Sequence, residues 1–160
     1  MKLALRAIVA LGLVVDAYIH ADLASQYDPV TSGSVSQGNL FRVEAVAALL
    51  AAVLVVALRR RASDLLALAV AAGGVVAVLL YRYVEVGPIG PLPSMYEPVW
   101  YAEKSLSVVA EALAAAAALA VLVLGMRSEE RRRSVLVGRH DQAAGQRVEQ
   151  HVERDERRRR

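Results

Sequence analysis

The sequence contains four apolar blocks, at residues 3–21, 40–58, 62–84 and 105–126, each close to the length that crosses a lipid bilayer. A helix needs about 20 mostly apolar residues to span the hydrocarbon core. Inside hydrocarbon, every backbone N–H and C=O must find its hydrogen bond within the protein, and helices achieve this within one segment. We therefore predict an all-α integral membrane protein in which residues 1–126 form a four-span bundle.

The composition agrees with a membrane protein and excludes several kinds of site. Hydrophobic residues make up 56% of the chain, whereas an average soluble domain has about 45–50%. Cysteine is absent, which excludes disulfides, thiolate metal sites and iron–sulfur clusters. Two of the three histidines, His140 and His151, fall in the C-terminal tail, away from His20. We therefore do not expect a heme held by two axial histidines.

The connections between the blocks predict an antiparallel arrangement. Only about six residues, 59–64, separate the second block from the third, and so short a connection produces a helical hairpin. The other two gaps are longer and contain all five prolines. Together these connections predict an antiparallel four-helix bundle.

The distribution of basic residues predicts the orientation of the bundle. Of the 19 lysines and arginines, 16 flank one end of the spans, including the three arginines 59–61 of the hairpin. The positive-inside rule then places both termini in the cytoplasm, and we expect a multi-pass protein of a bacterial plasma membrane. Residues 1–21 resemble a signal peptide, but Asp16 interrupts the apolar stretch and we do not expect cleavage.

The C-terminal tail, residues 127–160, has a different composition from the spans. It carries 11 basic and 7 acidic residues and no tyrosine, phenylalanine or tryptophan. Such a segment cannot bury a core, so we expect a disordered or frayed cytoplasmic tail. The first interpretation is a solvated tail that also fixes the topology, and the alternative is an electrostatic contact with anionic lipid headgroups or an acidic partner. We do not expect nucleic-acid binding.

Several ionisable residues fall inside the apolar blocks, and five of them lie toward the outer ends. Such residues are costly in lipid and usually face the interior of a bundle. Asp16 and His20 are four residues apart, so they share a helix face, which Gly12 extends. On the last span, Ser107 and Glu111 form a similar stripe. The predicted ligand or proton cluster comprises Asp16, His20, Glu44, Arg82 and Glu111.

Three interpretations of this cluster remain open. The carboxylates could pair with Arg42, Arg82 and Lys104 as structural staples. Alternatively, a divalent cation or a relayed proton could occupy the cluster, and the metal ligands would then be Asp16, His20, Glu44 and Glu111. Thirdly, the polar residues could line a pocket for a small molecule or a lipid headgroup. Eight acidic and three basic residues give the outer side a net charge of −5, which concentrates cations there.

The second outer loop, residues 84–104, contains four of the five prolines. Proline stiffens the backbone by fixing one of its dihedral angles. Within the loop, Trp100 and Tyr101 are predicted to make interfacial contacts. The loop therefore reads as a lid on the membrane surface or as a docking surface for a partner protein or lipid.

Residues 20–23 (His-Ala-Asp-Leu), Tyr27 and residues 38–41 (Gly-Asn-Leu-Phe) form a pattern that resembles small four-span membrane proteins of high-GC bacteria. Glu111 matches a glutamate early in the last span of that family. A looser likeness to DoxX-type four-helix membrane proteins rests on the number of spans. The resemblance implies a four-span membrane protein and assigns no chemistry.

For function, we expect a non-catalytic accessory or assembly subunit of a membrane complex. Binding or transport of a cation, proton or small ligand at the outer cluster is the first alternative, and a membrane-embedded metal-dependent enzyme is the second. On balance, the sequence favours a protein that is not an enzyme. The expected partners are the lipid bilayer and either other membrane proteins or further copies of this chain.

Overall fold

The protein, seen here in a computed structural model, consists of four α-helices. The structure describes the backbone of residues 1–31 and 34–159, and the side chains of residues 1–31, 34–130, 134, 157 and 158. These residues contain no β-sheet, which confirms the all-α prediction for the part described, and all four helices are long and apolar enough to cross a membrane. The helices are α1 (Lys2–Leu23), α2 (Gln37–Ala57), α3 (Arg61–Tyr83) and α4 (Ala102–Arg159).

Only three residues, 58–60, connect α2 to α3. Arg59 adopts a positive φ of 50°, the left-handed conformation that often ends a helix just after its C-cap. α3 begins at Arg61, and the Oγ of Ser63 in its first turn accepts a hydrogen bond of 3.2 Å from the backbone N–H of Arg60. We call this end of the bundle the hairpin end, and the opposite end, with the longer connections, the loop end.

Small residues line the helix contacts, and large apolar residues face outward. Most of the buried core residues are alanines, such as Ala48, Ala67 and Ala114. Large residues face outward instead: Leu11 is 66% exposed and Leu49 is 50% exposed. Helices in lipid gain little from burying large side chains and associate through close packing of small ones. The pattern therefore fits helices whose outer faces contact lipid.

The chain divides into two compact units, Met1–Leu122 and a second that begins at Val123. In the second unit α4 continues to Arg159, where the sequence predicted a disordered or frayed tail from residue 127. Arginine, glutamate and glutamine are good helix formers and are frequent in this segment, which accounts for the helix. The contacts predicted for the tail, with anionic lipid headgroups or an acidic partner, would involve side chains that lie mostly outside the described residues.

One buried ion pair fixes the hairpin end. Arg6 of α1 donates two hydrogen bonds to Asp64 of α3, from Nε to Oδ1 at 2.9 Å and from Nη2 to Oδ2 at 2.7 Å. Nη2 also donates to the backbone oxygen of Arg59, at 3.1 Å. A bidentate arginine–carboxylate contact is among the stronger polar interactions in proteins. It joins α1 to the start of α3.

A buried carboxylate–histidine cluster and the adjoining cavity

Asp16 and His20 meet on one face of α1, about 10 Å from its loop end at 1.5 Å per residue. Asp16 is fully buried. Nδ1 of His20 lies 2.9 Å from Asp16 Oδ1 and 3.1 Å from the backbone oxygen of Asp16. Ser107 of α4 donates a hydrogen bond of 2.6 Å to the same Oδ1. The second carboxylate oxygen, Oδ2, has no hydrogen-bond partner.

Glu111 reaches the same place from α4, one helical turn beyond Ser107, and it is also fully buried. Two glycines make room for it. A Cβ at Gly12 would lie 2.6 Å from the backbone oxygen of Ala110, so α1 and α4 approach closely there. A Cβ at Gly74 of α3 would collide with the carboxyl group of Glu111.

These three side chains form one compact donor set. One ligand atom each from Asp16, His20 and Glu111 lies within 4.8 Å of the others. Both carboxyl oxygens of Glu111 are buried without a hydrogen-bond partner. We call these three residues the trio.

The basic residues of the loop end contact other groups. Arg42 forms an exposed ion pair with Asp28, with Nη1 to Oδ1 at 2.7 Å. Lys104 donates from Nζ to the backbone oxygens of Glu97, at 2.5 Å, and Val99, at 3.4 Å. None of these contacts reaches the trio.

Arg82 belonged to the predicted cluster, but its guanidinium lies over aromatic rings instead. Its Cζ is 5.0 Å from the ring centre of Tyr83 and 5.8 Å from that of Trp100. Its Nε is buried without a hydrogen-bond partner. Neither Arg42, Arg82 nor Lys104 therefore forms an ion pair with Asp16, Glu44 or Glu111, as the staple interpretation requires.

Beside the trio lies a cavity of about 380 Å³, in which His20 and Ser107 form part of the wall. Glu44, the fourth metal ligand predicted from the sequence, lines this cavity and is not one of the trio. One of its carboxyl oxygens, Oε1, is buried and unpartnered. The wall of the cavity also includes apolar, aromatic and basic side chains: Ile19, Leu23, Tyr27, Leu40, Phe41, Ala77, Val78, Tyr81, Met95, Tyr101 and Lys104.

A row of aromatic contacts fixes one wall of the cavity. The ring of Phe41 lies edge-on to His20, at 5.1 Å between centres, and 4.8 Å from the ring of Tyr27. The hydroxyls of Tyr27 and Tyr101 share a hydrogen bond of 2.9 Å. Burial raises the pKa of Tyr101, and its bond to Tyr27 raises it further. Tyr101 is thus an uncharged cavity residue, whereas Trp100 stays 40% exposed in the loop.

The chain matches no protein-family model, no curated protein and no solved structure.

Proposed function

We propose that this chain is a multi-pass membrane protein that binds a divalent transition-metal ion at Asp16, His20 and Glu111. One observation carries the proposal: two fully buried carboxylates converge on one imidazole, and no lysine or arginine in the described part of the chain forms an ion pair with either of them. Three of their four carboxyl oxygens lack a hydrogen-bond donor. Buried polar groups are normally paired, and a bound ion would supply the partner that these oxygens lack.

Charge balance supports a divalent ion. Burying ionised carboxylates without compensation is very unfavourable. An ion of charge +2 would neutralise Asp16 and Glu111 and leave His20 as a neutral ligand. One nitrogen and two carboxylate oxygens suit borderline or hard metals such as zinc, manganese or iron(II).

The surroundings of the trio support the same reading. Ser107 orients Asp16 by hydrogen bonding to it, as partners of metal ligands commonly do. Three protein ligands leave a coordination position for water or another molecule. His20 also lines the cavity, which provides space for such a molecule beside the ion.

Metal analysis of the detergent-purified protein tests the proposal, by native mass spectrometry together with elemental analysis after growth with zinc, manganese and iron. We expect about one ion per chain in the wild type and at least a tenfold loss in Glu111→Gln and His20→Ala. Asp28→Asn is the matched control, because it removes an exposed carboxylate that pairs with Arg42. It should keep the metal.

Two other results would reject this function. A metal-free wild type that takes up no ion on titration would favour a proton shared between Asp16 and Glu111. A metal-free wild type that co-purifies with another membrane protein would favour the accessory role predicted from the sequence.

We also propose that the hairpin end faces the bacterial cytoplasm, as its arginines indicate. The cysteine-free sequence permits a direct test with single-cysteine variants. In intact cells, a membrane-impermeant maleimide should label Glu85→Cys at the loop end and spare Arg60→Cys at the hairpin end. The reverse labelling pattern would invert the topology.

A further inference from the structure

The cavity beside the trio has a chemistry of its own, which does not depend on a metal. We propose that it binds a lipophilic organic cation, with an ammonium group at Glu44 and an apolar body among the aromatic side chains. The volume of about 380 Å³ falls within the roughly 300–1,000 Å³ usual for small-molecule sites.

In this proposal, Glu44 binds the ammonium group of the ligand. Its Oε1 is buried and has no hydrogen-bond partner in the structure, although the atom belongs to a residue on the cavity wall. A metal ion at the trio would be neutralised by Asp16 and Glu111, which leaves the charge of Glu44 uncompensated. A ligand that donates a hydrogen bond and carries positive charge would satisfy it.

The walls suit the rest of such a ligand. Tyr27, Phe41, Tyr81 and Tyr101 all line the cavity, and aromatic rings attract ammonium groups through their negative faces. The aliphatic part of the lining would hold an apolar body by excluding water from it. It comprises Ile19, Leu23, Leu40, Val78 and Met95.

The charges around the cavity favour a cation over an anion. The residues of the loop end carry a net charge of −5 without a metal and −3 with a divalent ion at the trio, and either charge raises the local concentration of cations. Lys104 also lines the cavity, but its Nζ is directed to the backbone oxygens of Glu97 and Val99. Two of its three N–H donors are therefore engaged by the loop.

The test uses tritiated benzyldimethylammonium, which carries one N–H donor, as the probe and isobutylbenzene, its uncharged carbon isostere, as competitor. Binding to the purified full-length protein is measured by scintillation proximity. We expect saturable binding to the wild type and at least a tenfold weaker affinity in Glu44→Gln. The isostere should compete at least tenfold more weakly than unlabelled probe.

One control variant tests whether general charge attracts the probe, and a second tests whether the probe binds in the cavity. Glu103→Gln removes the same charge from the exposed start of α4 and should change the affinity less than twofold. Ala77→Phe fills the cavity from α3 and should abolish binding. Should Glu44→Gln fail to fold, judged by its gel-filtration profile, the comparison of probe with isostere and the Ala77→Phe variant still decide.

Three results would overturn the proposal. The isostere could compete as well as the probe, which would mean that the cavity selects for apolar surface alone. Glu44→Gln and Glu103→Gln could weaken binding equally, which would mean that the overall negative charge of the loop end, and not Glu44 itself, attracts the probe. Binding could also persist in Ala77→Phe, which would place the probe elsewhere. None of these results depends on whether Glu111→Gln loses a metal.

Discussion

Two buried acids in this bundle have opposite surroundings. At the hairpin end, Asp64 receives two hydrogen bonds from Arg6, so its charge is compensated within the chain. Toward the loop end, Glu111 is more deeply buried than Asp64, yet its carboxyl group has no donor. We infer that the first carboxylate holds helices together and that the second is available to bind a ligand. Burial alone does not distinguish them, whereas the presence of a basic partner does.

The largest expected effect is the loss of the compensated pair. Arg6→Ala leaves the buried Asp64 without its partner. Breaking a fully buried pair in this way typically costs about 3–5 kcal/mol, and we expect the lower end of that range because Arg6 is partly exposed. The free energy of unfolding, measured by titrating mixed micelles with a denaturing detergent, should fall accordingly. Arg42→Ala is the matched control, because its pair with Asp28 is about half exposed on both sides, and it should have little effect. Equal losses in the two variants would contradict the contrast.

The next effect concerns how closely the helices approach around the trio. Gly12→Ala places a Cβ 2.6 Å from the backbone oxygen of Ala110, and a rigid backbone cannot move aside as a side chain can. Overpacking of this kind typically costs about 1–3 kcal/mol of unfolding free energy. Gly73→Ala is the control, since a Cβ there meets nothing within 4 Å, and alanine favours a helix over glycine by up to about 1 kcal/mol. A Gly12→Ala protein as stable as Gly73→Ala would show that α1 and α4 are not in tight contact.

A smaller effect should distinguish the two acids by its sign. In metal-free protein, Glu111→Gln removes a carboxylate that lacks a donor and adds an amide N–H₂ that can donate to Oδ2 of Asp16. We expect a gain of about 1 kcal/mol, the usual net value of a hydrogen bond. Asp64→Asn should instead destabilise, because asparagine cannot accept both hydrogen bonds from Arg6. If both variants lower stability in the same unfolding assay, the carboxyl group of Glu111 is structural and the ligand hypothesis loses its basis.

Sequence patterns predicted the elements of this fold because each pattern is local. Apolar blocks of bilayer length predicted the four helices, and a gap of a few residues predicted the tight connection at residues 58–60. The i, i+4 spacing of Asp16 and His20 likewise predicted their shared face. The structure has α1–α3 within three residues of the predicted bounds.

The contacts between helices could not be predicted in the same way, because they depend on how each helix is rotated. Arg6 and Asp64 are 58 residues apart. In the sequence, Arg6 lies near the start of the first span and Asp64 at the end of the hairpin connection, and no pattern pairs them. Gly74 has no sequence signal that pairs it with Glu111. The rotation of α2 separates Glu44 from the trio, and that of α3 directs Arg82 to Tyr83 and Trp100. An unaided sequence therefore shows which polar residues share a level in the membrane, and not which of them meet.

The smallest expected effect is the pH dependence of the exposed pair, which completes the comparison with Asp64. The hydrogen bonds from Arg42 lower the pKa of Asp28 below the usual value of about 4 for an aspartate. A lowered folded-state pKa adds stability above the unfolded-state pKa, and this stability disappears as the pH falls through the folded-state value. The unfolding midpoint of the wild type should therefore decrease slightly below about pH 4. Asp28→Asn should abolish that part of the decrease, and only a small part, because solvent screens an exposed pair. A large change in Asp28→Asn would mean that the loop before α2 is held by this ion pair, which would give the exposed pair the structural weight assigned here to Arg6 and Asp64.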